Sequence, residues 1–242
     1  MAKRLRILAG PNGSGKSSLR NIVDLHWGVF VNADEIEKQL REQQFLDVAE
    51  YGITDVDWNA FLDKYEALTK QKQLRCERDN LSYANHTIRV VDGAKVDSYL
   101  ACVVAEFIRF ELLEAKGNVT FTIETVMSHE SKLDFMRAAK EKGFRVYLYY
   151  VSTSSPEINV GRVATRVQKG GHNVSEDKIR SRYVKSLQHL HDAILLSDRA
   201  YIFDNSTSSH RWIAEYDGAT GQITYKMDAV PSWVITYVNQ PK

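Results

Sequence analysis

The chain has 242 residues, 43% of them hydrophobic, which is enough for one large α/β domain with its own core. Its formal net charge of +1 argues against DNA or an anionic membrane as the main partner. The two cysteines, Cys76 and Cys102, lie in helically patterned segments without metal-ligand spacing, so reduced thiols are expected rather than a zinc or disulfide framework.

From Lys3-Arg4 the sequence passes directly into the apolar run Leu5 to Ala9. This leaves no room for a signal peptide, and no later run approaches transmembrane length, so a cytoplasmic location is expected. The run opens into Gly10-Pro11-Asn12-Gly13-Ser14-Gly15-Lys16-Ser17-Ser18, which fits G-x-x-x-x-G-K-S/T at every fixed position and lies between a strand pattern and a helix pattern. Residues Gly10 to Ser18 are therefore expected to hold the phosphates of a nucleotide. Glycines let successive N–H groups approach phosphate oxygens, and the helix N-terminus favours negative charge. Lys16 is expected to reach the β/γ-phosphates and the Ser17 hydroxyl to ligate Mg²⁺.

A helix is predicted from Lys16 to Asp24, then a short strand Trp27 to Val31 ending at Asn32-Ala33-Asp34. Ligands of open parallel sheets lie beyond the carboxyl ends of strands, so Asp34 is the leading candidate for a base that accepts a substrate hydroxyl proton. A Mg²⁺-shell role, or simple N-capping of a helix starting at Glu35-Ile36, is the alternative. Between about 45 and 95 a mostly helical insertion is expected. Trp58, Phe61, Leu62, Tyr65 and Leu68 have helical spacing, Lys70 to Asp79 reads as a solvated charged face, and Asn80 to Asn85 reads as a loop. Thr87 to Val91 reads as a short strand, closed by a turn at Asp92-Gly93.

Leu100, Val103, Val104, Phe107, Ile108 and Leu112 predict a helix stopped by Gly117. The next strand, Val119 to Ile123, ends at Glu124-Thr125. Glu124 is expected to orient the Mg²⁺ waters or hold a substrate hydroxyl, and Thr125 to bond substrate or phosphate. Ser128 is the expected N-cap of a helix reaching Lys142 and ending at Gly143. Arg145 to Val151 reads as a central parallel strand. After it come a helix with Arg162 and Arg166 on one face, a break at Lys169 to Asn173, and a second helix with Lys178, Arg180, Arg182 and Lys185. This arrangement predicts a lid, at about 157–185, that excludes water and brings a guanidinium to the transferred phosphoryl group. A last parallel strand ends at Asp204-Asn205-Ser206, expected to touch the nucleotide base or tie down the lid. A β-hairpin at about 210–235 shows no chemistry of its own.

Taken together, Ala9 to Ser17, Asn32-Ala33-Asp34, Glu124-Thr125-Val126, Arg162 to Val167, Gly170 to Val174, Arg182-Tyr183 and Asp204-Asn205-Ser206 resemble the zeta toxin family of phosphate-loop kinases over about 5–45 and 97–210. The Gly-Gly-His lid is similar to that of the shorter, stand-alone branch. The resemblance implies a kinase fold with a central parallel sheet; with the residue patterns above, this gives a single three-layer α/β P-loop kinase domain with a central, mostly parallel five-stranded sheet, to which the chain adds a helical insertion, a departure from the family, and a C-terminal hairpin. It implies transfer of the γ-phosphate of ATP, with GTP as the alternative donor, to a hydroxyl of a small acceptor; in the best-known members this is UDP-N-acetylglucosamine. Under it Asp34 is the catalytic aspartate, Lys16 the phosphate-loop lysine and Arg162 the first lid arginine, while Arg166, Arg180 and Arg182 compete to be the second. Asp34, Glu124, Thr125, His172, Arg180 and Arg182 are then candidates to bind the acceptor, and Ser17 and Glu124 to hold Mg²⁺. An antitoxin is a candidate partner. Polynucleotide or nucleotide-cofactor kinases, and a nucleotide-dependent switch that binds a protein, remain the competing readings.

Overall fold

The computed structural model describes residues 3–54, 56–63, 66 and 78–239. In chain order they form β1 (Arg4–Ala9), α1 (Lys16–Ile22), β2 (Val29–Val31), α2 (Ala33–Gln43), β3 (Phe45–Asp47), helical residues 58–63 (α3), β4 (Leu81–Ala84), β5 (Thr87–Val90) and α4 (Ser98–Glu114). There follow β6 (Thr120–Thr125), α5 (Ser131–Glu141), β7 (Arg145–Ser152), α6 (Pro156–Gln168), α7 (Glu176–Gln188), α8 (Leu190–Leu196), β8 (Arg199–Asp204), β9 (Arg211–Asp217), β10 (Gln222–Tyr225) and α9 (Ser232–Val238). The chain divides into two compact units, one ending at Gly28 and resuming at Asn118, the other spanning Val29–Gly117.

In the first unit the strands lie in the order β6-β1-β7-β8-β9-β10. The first four are parallel, with Leu8 opposite Glu124 on one side and Tyr149 on the other. β1 and β7 are almost wholly buried, as strands covered on both faces must be, which explains their unbroken apolar character. One sheet face packs Leu8, Tyr149 and Val151 against Leu19 of α1. The opposite face carries Phe121, which meets Phe135 of α5 and Phe144, and Tyr150, which meets Trp233 of α9 and bonds Ser186 of α7. The outcome is the three-layer, mostly parallel α/β arrangement of a P-loop kinase fold. The C-terminal hairpin extends the same sheet: β9 pairs antiparallel with β8, and β10 with β9.

α5 begins at Ser131, later than the Ser128 cap predicts, and the His129 ring nitrogen accepts from the Ser131 amide there. Its end matches expectation. Gly143 has φ 79°, the Gly143 amide bonds Lys140 and the Phe144 amide bonds Ala139, a Schellman closure.

In the second unit α4 buries Leu100, Val103, Val104, Phe107, Ile108 and Leu112, as its spacing predicts, and Asp97 caps it through the Tyr99 and Leu100 amides. The described residues of 45–95 depart from a mostly helical insertion. They include a three-stranded antiparallel sheet, β3-β5-β4, and residues 81–84 are a strand where a loop is expected. The turn joining β4 to β5 is the two-residue Asn85-His86, with φ 50° and 61°. Both central residues are left-handed without glycine, which hides the hairpin from a turn-residue reading. Trp58 packs on Phe61, Tyr83 and Phe107. Tyr65, Leu68, Cys76 and the charged run before Arg78 lie outside the described residues. No helix of the described residues is long and apolar enough to cross a membrane.

Candidate active site

β1 ends at Ala9 and releases the chain into Gly10, whose φ of 141° and position leave no room for a side chain: a Cβ would lie 2.0 Å from the Val151 carbonyl oxygen. Gly15, at φ 96°, is the N-cap of α1, and a Cβ on it would meet Asn205 Nδ2 at 2.2 Å. These close approaches, rather than flexibility, are why the motif needs glycine at both places. Lys16 is buried and folds back over the loop, donating to the carbonyls of Gly10 (2.9 Å) and Pro11 (3.2 Å). Its ammonium lies 3.9 Å from Glu124 Oε1 at the end of β6. The structure thus brings together Lys16 and Glu124, predicted separately from two strand ends. Ser17 and Ser18 are exposed on the first turn of α1, and Ser14 Oγ is buried with no hydrogen-bond partner among the described residues.

The loop is held from three sides by side chains far away in sequence. Asn159 of α6 donates Nδ2 to the Asn12 carbonyl at 2.7 Å, and its Oδ1 accepts from Thr153. Asn205 donates Nδ2 to the Ser14 carbonyl at 2.8 Å, and His210 Nε2 donates to the Gly15 carbonyl at 2.9 Å. Asn205 and His210 bracket the β8–β9 connection, whose base is closed by Asp204. Its fully buried carboxylate accepts from Arg211 Nη2 (2.8 Å), Trp233 Nε1 (2.8 Å) and both the amide and hydroxyl of Ser206. Burial alone would raise the Asp204 pKa, but the hydrogen bonds from Arg211, Trp233 and Ser206 outweigh it and hold the carboxyl below its ordinary value. Sequence reading assigns the hairpin no chemistry and misses Asn159 and His210. Asn205, read as a base contact or lid tie, here braces the loop.

Glu124 and Thr125 end β6 as predicted. Thr125 Oγ1 accepts from the amide of Met127, a buried residue held at φ 57°. The Val126 carbonyl accepts from Ser186 of α7, whose hydroxyl oxygen accepts in turn from the buried Tyr150, since a carbonyl can only accept. Burial pushes the Tyr150 hydroxyl far above the ordinary tyrosine range, so it is a permanent donor in this chain.

α6 starts at Ser155-Pro156, with proline at the first helical position where its missing N–H costs nothing. Arg162 Nη2 donates to the Thr207 carbonyl (2.9 Å), and Arg166 Nη2 to the His172 carbonyl (2.7 Å) in the break between α6 and α7. Arg162 Nη1 and Arg166 Nε are buried without a partner among the described residues. Arg180 reaches back from α7 to Glu157 (2.5 Å) and also pairs with Glu176 (2.8 Å). Its guanidinium, with Ser155 and the local backbone, draws the Glu157 carboxyl down to about 2. His172 is exposed in the break and Arg182 half-buried on α7.

Asp34 belongs to the second unit, where it is the second residue of α2. The helix starts at Ala33, two residues earlier than predicted, and Asn32 is the cap: its side chain accepts from the Asp34 amide at 2.9 Å. Capping therefore does not account for the Asp34 carboxylate.

No protein-family model matches the chain. A curated protein of Haemophilus influenzae, described as uncharacterized, is 40% identical over 68 residues, 28% of this chain and 49% of its own length. A chain in a crystal structure of AvrRxo1-ORF1:AvrRxo1-ORF2 with sulphate ions aligns with 98% of this chain and 64% of its own at 14% identity, with a TM-score of 0.57. A structure of the same pair with ATP aligns with 93% and 61%, at 15% identity and a TM-score of 0.54. The chain thus spans about half of the curated relative and under two thirds of these solved chains. The two solved structures establish the fold.

Proposed function

We propose that this protein is an ATP- and Mg²⁺-dependent kinase that transfers the γ-phosphate to a hydroxyl of a small acceptor, a sugar nucleotide such as UDP-N-acetylglucosamine, in a toxin-like role. The observation that carries the reading is the built phosphate loop: Gly10 to Ser17 folded onto the N-terminus of α1, with Lys16 and Glu124 facing each other at 3.9 Å. The fold shared with a protein solved with ATP supports it.

Phosphate oxygens entering the loop compete with the Gly10 and Pro11 carbonyls for Lys16 Nζ, a favourable exchange because a neutral acceptor is replaced by an anionic one. The Ser17 hydroxyl and Glu124 carboxylate are hard oxygen donors and fit Mg²⁺. When bound there, the ion would screen the charge of the β- and γ-phosphates. Asp34 is the proposed base for the acceptor hydroxyl. Arg162 and Arg166 are the proposed lid arginines, each with a buried guanidinium nitrogen left over to meet the charge on the transferred group. Thr125, His172, Arg180 and Arg182 are the proposed acceptor contacts. An antitoxin is the proposed protein partner, in line with the two-protein AvrRxo1-ORF1:AvrRxo1-ORF2 assemblies.

The test is transfer of label from γ-³²P-ATP to a metabolite extract. Lys16→Ala is expected to abolish it. Asp34→Asn is expected to lose roughly 10²–10⁴-fold in rate while still binding ATP, the range of a general base. Full activity of Asp34→Asn would overturn the assignment of that residue. ATP binding without transfer to any acceptor by the wild type would replace the kinase with a nucleotide-dependent switch, and label on oligonucleotides would make the acceptor a polynucleotide.

A further inference from the structure

We infer that Asn159, Asn205 and His210 are positioning residues that fix the peptide planes of the phosphate loop, so that its N–H groups are aimed at phosphate before any ligand arrives. A trans peptide is planar, with its C=O and the following N–H pointing in opposite directions. A donor that fixes one carbonyl therefore fixes the direction of the next residue's N–H. Asn159 on the Asn12 carbonyl sets the N–H of Gly13, Asn205 on the Ser14 carbonyl sets that of Gly15, and His210 on the Gly15 carbonyl sets that of Lys16. Each carbonyl is turned toward its side-chain donor, so each following N–H points the other way, while the Ser14 N–H between them donates to the Pro11 carbonyl at 3.2 Å. Backbone N–H groups left free to meet an anion are what make such a loop an anion cradle.

The chemistry of the three donors is unambiguous. A carbonyl oxygen only accepts, so both asparagines present their NH₂ and His210 carries its proton on Nε2, a donor in the neutral ring as well as in the imidazolium. The Gly15 carbonyl also accepts the first helical bond of α1 from the Leu19 amide at 3.0 Å, so His210 is a second donor on an atom already aligned with the helix axis. Asn205 and His210 are kept side by side because Asp204 and Arg211, the residues just outside them, are register partners joined by a 2.8 Å ion pair. The hairpin and α9, through Trp233 on Asp204, thereby stiffen the loop.

This rests on the kinase reading only in requiring phosphate in the loop. The experiment measures binding of tripolyphosphate and of ATP to the full chain by titration calorimetry, with thermal melting of the ligand-free protein alongside. Asn205→Leu and His210→Phe are each expected to weaken both ligands by the same factor, about tenfold for one lost loop-orienting bond. His210→Gln, which keeps a donor, is expected to recover most of the loss, which a purely structural role would not give. Variants that bind tripolyphosphate as the wild type does would overturn the inference. So would loss of ATP binding with tripolyphosphate binding kept, since that marks a base contact. If His210→Phe does not fold, the pair His210→Gln and His210→Ala decides, and equal affinities overturn the inference. A wild type that binds neither ligand removes the kinase reading and the inference together, an outcome distinct from unaffected variants.

Discussion

At the phosphate loop, three side-chain donors from α6 and from the β8–β9 connection hold the Asn12, Ser14 and Gly15 carbonyls at 2.7, 2.8 and 2.9 Å, in buried or part-buried bonds. Between α6 and α7 the ties are Arg180 to Glu157 and Glu176, and Arg166 to the His172 carbonyl, all in contact with solvent. Hydrogen bonds shielded from water are costly to leave unmade, whereas exposed ion pairs contribute little and are screened by salt. One region is therefore built to keep its shape when empty, and the other to rearrange at little cost. That difference is what the proposed phosphate site and lid would require.

Four substitutions would break or sharpen that contrast. Gly10→Val is expected to have the largest effect, because any Cβ there meets the Val151 carbonyl at 2.0 Å and φ is 141°. Overpacking and strain together should cost about 3 kcal/mol or more and abolish ATP binding, read by denaturant unfolding and calorimetry. Asp204→Asn should follow at about 2–3 kcal/mol, because it leaves Arg211 without its counter-ion while Arg211 keeps some water. Its ATP affinity should fall with stability if the β8–β9 connection transmits to the loop. In the proposed lid, Arg166→Gln should leave the melting temperature within about a degree or two, as a surface change does. Its transfer rate should fall by about 10³-fold if this arginine meets the transferring phosphoryl group.

The smallest effect is expected for Arg180→Gln, and its size depends on pH. The Glu157 carboxyl falls from 4.5 unfolded to about 2 folded, so the stability it contributes is fully present above pH 4.5 and is lost as pH falls through about 2. The gap in melting temperature between wild type and Arg180→Gln should therefore be largest near neutrality and shrink through that window. A gap unchanged down to pH 2 would mean that the pair does not hold α6 to α7.

Where local rules apply, the sequence was legible. The Gly10–Ser17 spacing, the buried runs of β1 and β7, the Glu124-Thr125 strand end and the helix–break–helix pattern carrying Arg162 and Arg166 all lie where periodicity and turn chemistry put them. Two local readings failed for identifiable reasons. Asn85 and His86 form a left-handed hairpin turn without glycine, and the Ser128 cap gave way to a helix starting at Ser131.

By itself the amino-acid sequence determined that a strand delivers a phosphate loop to a helix, because those bonds close within a few residues and their residue types are forced by sterics. Only the tertiary structure decided what holds that loop open. Asn159 lies 147 residues from Asn12, Asn205 lies 191 from Ser14, and His210 lies 195 from Gly15. No period or spacing can register contacts of that range. They exist only once parallel β7 and β8 bring the ends of their strands beside the end of β1.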